Sequence, residues 1–365
     1  MSLVLYRKYR PQVFAEVVGQ EHVVQTLSNA VSSGIISHAY LFSGPRGSGK
    51  TTVARLLAKS LNCQNRKEGQ FEPCNKCSSC LEIMGNRSLD LIEIDAASHR
   101  GIDEMRELRE GIKFAPSKSK YKIFIIDESH QLTKEAANAL LKTLEEPPSH
   151  AIFILATTEI HKMIPTIISR CQRFDFRKLT LAEIVKRLEF VGKKEGIKAE
   201  KTALELIALN AAGSIRDAES ILGQVLNYQG GQEIKTETIK EILGLVEINT
   251  ISQLCEFLSQ KKASESLNFL NEIVEKGIDL QEFTKSLINY LRRALMFKIA
   301  GIGSEWWAAG LTKEELEKLK KQADSLEEEE LRKIIDLFLE AENKMKYSSI
   351  PQLPLELAII EFVGE

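Results

Sequence analysis

Gly44-Pro45-Arg46-Gly47-Ser48-Gly49-Lys50-Thr51 is the stretch on which the reading of the chain turns. Its spacing, G-x-x-x-x-G-K-[ST], lets the glycines curl the backbone so that its N–H groups face phosphate oxygens. In such a loop Lys50 reaches the β- and γ-phosphates and the Thr51 hydroxyl ligates Mg2+. Gly44, Pro45, Arg46, Gly47, Ser48, Gly49, Lys50, Thr51 and Thr52 are therefore the candidate nucleotide contacts. Eight residues alone can be a glycine-rich turn that holds nothing. Here the flanks argue otherwise: Ala39-Tyr40-Leu41-Phe42 reads as a strand entering the loop, and residues 50–62 read as the helix leaving it.

Outward from the loop, short β-rich runs alternate with helical periodicity through residue 178. Leu89 to Ile94, Ile123-Phe124-Ile125-Ile126 and Ile152-Phe153-Ile154-Leu155 are the further strand candidates, with helices expected at 102–113 and 134–146. This is the pattern of a parallel sheet covered by helices, an α/β domain. Thr133 is placed to cap the helix at 134–146, and Pro147-Pro148 ends it.

The second chemical signal closes the strand at Ile126. Asp127-Glu128 puts two carboxylates at the end of a buried apolar run, a costly arrangement unless they face a site. Asp127 suits Mg2+, held mostly through water, and Glu128 suits polarisation of an attacking water. The plainer alternative is a surface turn. The next strand ends in Ala156-Thr157-Thr158, where ligands of parallel sheets bind; Thr158 is the candidate for sensing a γ-phosphate, with Thr157 as alternative. Two arginines complete the set. Arg170 follows a short helix begun at Pro165, and Arg216 lies in the first turn of a helix capped by Ser214. Guanidinium groups stabilise the charge that develops in phosphoryl transfer, although either arginine alone defaults to a surface ion pair.

Four of the six cysteines lie within eighteen positions, as Cys63-x10-Cys74-x2-Cys77-x2-Cys80. A closely spaced pair plus two further thiolates makes a four-sulfur shell for a structural Zn2+. A redox Cys-x-x-Cys is the rival, and it leaves two clustered thiols without a role. Cys171 and Cys255 read as isolated core residues.

From residue 179 the sheet signal fades. Thr180-Leu181-Ala182-Glu183 resembles a capping box, Gly213-Ser214 a break before a new helix, and Gly230-Gly231-Gln232 a turn. Beyond 243 the chain is amphipathic helix, with Leu254, Phe257 and Leu258, then Leu267, Leu270, Ile273 and Val274, then Phe283, Leu287, Ile288 and Leu291 on inward faces. Glu327–Glu330 reads as a solvated helix start, and one of Trp306-Trp307 as a packing residue. Three domains follow: 1–178, 179–243 and 244–365.

At 43% hydrophobic and 27% charged residues, the chain is of the folded globular class, and no apolar run reaches the length of a membrane span. The N-terminus lacks the order of a secretory signal, so a cytoplasmic location is expected. Residues 1–178 carry 25 Lys+Arg against 19 Asp+Glu (net +6), and the remainder 24 against 32 (net −8). That split is either ordinary variation or the mark of a first domain that faces a polyanion.

The glycine loop, Asp127-Glu128, Thr158, Ser169-Arg170-Cys171 and Gly213-Ser214-Ile215-Arg216-Asp217, in that order, resemble the AAA+ clamp-loader ATPases. The four cysteines narrow the resemblance to the gamma/tau family of bacterial DNA polymerase III. So do Tyr9-Arg10-Pro11, Val17-Val18-Gly19-Gln20, Leu91 to Ser98 and Leu140 to Pro148. The motifs cover residues 4–220; beyond them the helical region is similar in size and character. The resemblance implies an AAA+ P-loop domain with a zinc-module insertion, a helical lid and an all-α collar used for oligomerisation. It implies ATP, Mg2+ and Zn2+ as cofactors, Thr158 at the sensor-1 position and Arg216 at sensor-2. Arg10, Pro11, Val17 and Val18 would border the adenine, and Arg170 would reach the ATP of a neighbouring subunit.

The implied work is to load a sliding clamp onto primer–template DNA, held through its phosphates. Several copies would act with delta and delta-prime subunits in a pentameric arc. A non-hydrolysing subunit similar to delta-prime is the alternative, against which Lys50, Thr51 and Glu128 stand intact. Another is a different AAA+ DNA motor, which leaves Ser169-Arg170-Cys171 and the cysteines unexplained. Ser129 departs from the Ala or Val common in relatives. No polymerase domain is evident, and the end at Glu365 suits a gamma-like form, a truncated one or a naturally short one.

Overall fold

The structure, a computed structural model, describes residues 4–98, 110–112, 114–229, 233–243, 248–300 and 311–364. The helix expected at 102–113 lies outside them except for residues 110–112, and Gly230-Gly231-Gln232 and Trp306-Trp307 lie outside them altogether. The chain divides into two compact units. One is Met1–Val191 with Asn210–Gly223; the other is Gly192–Leu209 with Gln224–Glu365.

In the first unit, β1 (Ala39–Ser43), β2 (Leu91–Asp95), β3 (Lys122–Asp127), β4 (Ala151–Thr157) and β5 (Gln172–Asp175) form a parallel sheet in the order β2-β3-β4-β1-β5. β1, β3 and β4 are apolar on both faces because both faces are covered. Tyr40, Phe42, Ile123, Ile125, Ile152 and Ile154 pack against α2 (Glu21–Ser33) and α3 (Lys50–Leu61). The alternate residues, Ala39, Leu41, Phe124, Ile126, Phe153 and Leu155, pack against α5 (Lys134–Glu145) and α6 (Pro165–Ile168). Phe124 and Phe153 stack across adjacent strands with centroids 5.3 Å apart, and each fully buried ring of this kind is worth about 1.5–3 kcal/mol. The four expected strands are present, and α5 carries its cap: the Thr133 hydroxyl accepts from Ala136 N at 3.2 Å.

β5 was not expected from sequence. Only Phe174 of its four residues is buried, while Arg173 and Asp175 pair with each other in solvent, so the segment lacks the apolar run that marked its neighbours. Phe174 nonetheless stacks edge-on against Phe42 at 5.7 Å and seals that end of the sheet.

The sheet brings the carboxyl ends of β1, β3 and β4 to one edge, with Ser43 in register with Thr157 and Asp127 one step beyond the Ile126–Leu155 pair. Gly44 leaves β1 with φ 151°, and a Cβ there would meet the Phe176 carbonyl oxygen at 2.4 Å. At Gly47 (φ 73°) a Cβ would overlap the Ser214 hydroxyl at 1.8 Å. Only glycine lets the loop pass so close to the start of α9 (Ile215–Gln229), which Ser214 caps by accepting from Asp217 N at 3.2 Å. Opposite it runs α7 (Leu181–Glu195), opened by the expected reciprocal cap: Glu183 N donates to Thr180 Oγ1 and Thr180 N to Glu183 Oε2. Arg187 on α7 and Glu219 on α9, both buried, pair at 2.8 Å. Burial pushes the Glu219 carboxyl up, against the pull of that guanidinium.

The second unit is helical, and the helices from Ile248–Ser259 to Leu353–Val363 enclose one core. Leu254, Leu258, Leu270, Ile273, Phe283, Leu287 and Leu291 lie in it, with Phe257, Leu267 and Ile288 at its margin. Val274, next to Ile273 and so turned about 100° from it, is only half-buried and does not join the core. Glu327 and Glu330 make a capping box at the start of Glu328–Met345, so this acidic run has a local structural use besides solvation. Cys255 is buried there, and Cys171 packs against the sheet of the first unit; burial pushes the Cys171 thiol up to about 12. Among the described residues no helix is long and apolar enough to cross a membrane.

Candidate functional site

Above the carboxyl edge of the sheet a cavity is lined by Arg10, Pro11, Arg46, Gly47, Gly49, Lys50, Thr51, Thr52, Asp127, Glu128 and Arg216. Every one of these was a candidate from sequence. An apolar recess beside it is lined by Pro11, Val17, Val18, Ser48, Leu179 and Ile215, among others. The two concavities share Pro11, Gly47, Gly49, Thr52 and Ile215. One is polar and cationic and the other apolar, as a phosphate chain and a base require.

Lys50, at the start of α3, is buried, and its Nζ donates to the carbonyls of Gly44 at 2.8 Å and Pro45 at 2.9 Å. Burial pushes its pKa down, against the pull of Glu128 and Asp127. The Thr51 hydroxyl donates to Asp127 Oδ2 at 2.7 Å, which puts the two expected Mg2+ partners side by side. Glu128 has a left-handed backbone (φ 47°, ψ 41°), uncommon for a side chain of its kind and costing on the order of 1 kcal/mol. Its Oε2 accepts from the Thr158 hydroxyl at 2.8 Å.

Of the two threonines at the end of β4, then, Thr158 is the one brought to Glu128. Thr157 is buried and meets His130 Nδ1 at 3.0 Å and Glu159 N at 3.1 Å. The Ser129 hydroxyl donates to the Ala156 carbonyl at 3.0 Å, a tie between the turn after β3 and β4 that Ala or Val lacks.

Arg7, Arg10, Arg46, Lys50 and Arg216 around the cavity outnumber Asp127, Glu128 and Glu219. Burial lowers the pKa of Arg10, and the positive charges of Arg55, Arg7 and Arg216 add to that; Glu93 opposes. An anion in the cavity reverses such repulsion, so the residues present fit a polyphosphate. Arg170 is not among the lining residues. Its guanidinium pairs with Glu145 at 2.5 Å and donates to the Thr166 carbonyl at 2.9 Å, a third exposed.

The second cluster has its own geometry. The sulfurs of Cys63, Cys74, Cys77 and Cys80 all lie within 4.8 Å of one another and form no disulfide. Four thiolates about 2.3 Å from a tetrahedral ion sit about 3.8 Å apart, so the cluster is compatible with a single metal. Backbone N–H groups of Lys76 and Cys77 point at Cys74 Sγ at 3.4 and 3.3 Å. Despite opposing desolvation, they bring that thiol down to about 6. Burial acts the other way on Cys63 and Cys80. Glu72, within the same insertion, accepts from Phe14 N at 2.8 Å and Ala15 N at 2.9 Å and so fastens it to the chain entering α2.

Three family models together match most of the chain. Residues 19–180 match the DNA polymerase III delta subunit, 183–231 the ATPase lid domain of the DNA polymerase III clamp loader subunit, and 234–364 domain III of DNA polymerase III subunits gamma and tau. The chain is 44% identical to the DNA polymerase III subunit tau of Bacillus subtilis, over 98% of its own length and 62% of that protein's. To the DNA polymerase III subunit gamma of Buchnera aphidicola (subsp. Acyrthosiphon pisum) it is 36% identical over 99% of its own length and 98% of the other's. The chain belongs to the DNA polymerase III gamma/tau family. Among solved structures, the Thermotoga maritima RuvB Holliday junction branch migration motor matches 68% of this chain and 78% of its own, at 20% identity and a TM-score of 0.49.

In this gamma/tau-family chain the cavity also holds residues that sequence reasoning did not select: Tyr6, Arg7, Ile215 and Glu219. Arg187 lines the apolar recess in the same way. Ile215 stands inside the Gly213–Asp217 stretch, next to Arg216; nothing in the local pattern of the others marks them, since they reach the site through the packing of α1 (Leu5–Lys8) and α7 against α9.

Proposed function

We propose that this chain is the ATP-hydrolysing motor subunit of a bacterial replicative clamp loader. The observation that carries the reading is a division of labour: one cavity gathers Lys50, Thr51, Asp127, Glu128 and Arg216, while Arg170 stands outside it. A complete pocket with its arginine elsewhere suits a nucleotide cleaved at a seam between subunits. In that scheme Lys50 binds the β- and γ-phosphates, and Val17, Val18, Arg10 and Pro11 border the base. Thr51 and Asp127 hold Mg2+, which when bound neutralises phosphate charge. Glu128 polarises the attacking water, and Thr158, now tied to Glu128, turns to the γ-phosphate when a nucleotide enters. Arg216 acts on the same phosphate from α9, and Arg170 serves a neighbour's.

The family membership and its clamp-loader lid support the further steps. Several copies, together with delta and delta-prime subunits, would form an arc through the helical region at 244–365, with 179–243 as the lid. ATP binding would set the arc to open the sliding clamp. Primer–template DNA, held by its phosphates against the net-positive first domain, would align Arg170 and trigger hydrolysis. Polymerisation is left to other subunits. ATP, clamp and DNA then each favour one arrangement of a multi-state assembly.

The test is ATP turnover of the chain alone, with partner subunits, and with clamp and primed DNA added. Slow basal turnover with stimulation at each addition is expected; full-rate hydrolysis by an isolated monomer would overturn the reading. Glu128→Gln in the same assay should keep ATP binding within a few-fold while slowing turnover by about 10²–10⁴-fold, the usual contribution of a general base. Equal turnover by that variant would remove Glu128 from its role.

Cys63, Cys74, Cys77 and Cys80 are proposed to hold a structural Zn2+, since all four positions of a tetrahedral shell are then filled by protein. Protein prepared without chelator should carry about one zinc per chain. Cys80→Ser should lower both the zinc content and the melting temperature. Native metal content far below one, with an unchanged melt after chelation, would count against the site.

A further inference from the structure

We propose that Tyr6 is a positioning residue for Arg216, holding its guanidinium ready for the terminal phosphate without neutralising it. The proposal rests on the reading of Arg216 given above. Tyr6 stands on α1, a helix of four residues anchored at both ends. Leu5 is buried next to α9, within 3.6 Å of where a Cβ on Gly223 would sit, and the Tyr9 carbonyl accepts from the buried Arg187 guanidinium. α1 is thus fastened to α7 at one end and to α9 at the other, and the Arg216 guanidinium, from the first turn of α9, lies over the Tyr6 ring. The Arg216 guanidinium carbon sits 5.0 Å from the ring centroid, inside the range of a cation–π contact. Tyr6 and Arg216 both line the nucleotide cavity.

The chemistry of the partner is the point. Among the described residues no carboxylate pairs with Arg216: Glu219, one turn along α9, is engaged by Arg187 at 2.8 Å. A carboxylate would fix Arg216 but would also compete with phosphate for it. The ring restrains the long side chain, whose rotamer freedom is otherwise lost on binding, and its neutral hydroxyl is the hydrogen-bond partner of Arg216, so no anion offsets the charge offered to the ligand. Arg7 lies 5.8 Å from the centroid of the same ring, so one tyrosine gathers two cations at the wall of the cavity.

The experiment is a cycle of Tyr6→Leu, Arg216→Ala and the double variant in the assembled complex, reading ATP affinity, ADP affinity and turnover. Tyr6→Leu should weaken ATP binding or turnover by about 3- to 30-fold while ADP affinity stays nearly level, since Arg216 addresses the terminal phosphate. In the Arg216→Ala background the same change should cost almost nothing. Tyr6→Phe, which keeps the ring, should recover the larger part of the loss. An equal cost of Tyr6→Leu with and without Arg216 would overturn the proposal, because Tyr6 would then act through packing of α1. So would equal losses for ATP and ADP, or a Phe variant no better than Leu. If Arg216→Ala alone changes neither ATP binding nor turnover, the assignment of Arg216 fails first. A harmful Arg216→Ala beside a harmless Tyr6→Leu sinks the tyrosine alone.

Discussion

Lys50→Ala is expected to lower ATP affinity by about 100-fold or more, because a hydrogen bond to a charged group is worth about 1.5–3 kcal/mol and Lys50 is placed to make more than one. Its ammonium already sits within the loop, donating to Gly44 and Pro45 carbonyls that a phosphate would replace as partners. Burial disfavours its charge in the absence of ligand, so an incoming triphosphate restores what desolvation removes. The substitution leaves those two carbonyls without their donor, so some loss of stability is expected as well. A melting curve separates the two effects, and Lys50→Arg keeps the charge while changing its reach. Equilibrium binding of a fluorescent ATP analogue is the direct measurement. Wild-type affinity in a folded Lys50→Ala protein would remove the cavity as the nucleotide site.

Legibility from sequence follows the distance over which each signal acts. The glycine loop is contiguous, so its whole geometry is written in eight residues; the positive φ of Gly44 and Gly47 supplies the physical reason for two of them. Asp127-Glu128 is legible because two acids at the end of Ile123–Ile126 contradict burial. Thr158 was separated from Thr157 only as a preference, and the structure brings Thr158 to Glu128 while Thr157 turns inward to His130.

Tyr6 and Glu219 were invisible for a different reason. They lie more than 200 residues apart, and they share a cavity because α1 and α9 pack against each other, which no local periodicity encodes. β5 was missed because an edge strand of four residues buries one side chain and carries no apolar run. In the helical unit the reverse holds: periodicity identified the inward faces from Leu254 to Leu291, yet it says nothing of which helix packs on which.

Arg170→Ala should separate folding, binding and catalysis more cleanly than any other change. Its pair with Glu145 is exposed at 33% and 50%, so removing it should alter stability by less than about 1 kcal/mol. It does not line the cavity, so ATP affinity should stay near wild type. Turnover stimulated by clamp and DNA should nonetheless fall by about 10³-fold or more, the effect of losing an arginine that stabilises phosphoryl-transfer charge from a neighbouring molecule. A mixture then tells trans from cis. Lys50→Ala subunits have a spoiled pocket but an intact arginine, and Arg170→Ala subunits the reverse. Assemblies of either alone should be nearly inactive. Mixed assemblies should recover part of the turnover, since some Arg170→Ala pockets will adjoin a Lys50→Ala subunit that supplies the missing guanidinium. Were Arg170 to act on its own chain's nucleotide, no mixture could restore a working site, because every subunit would lack either its pocket or its arginine.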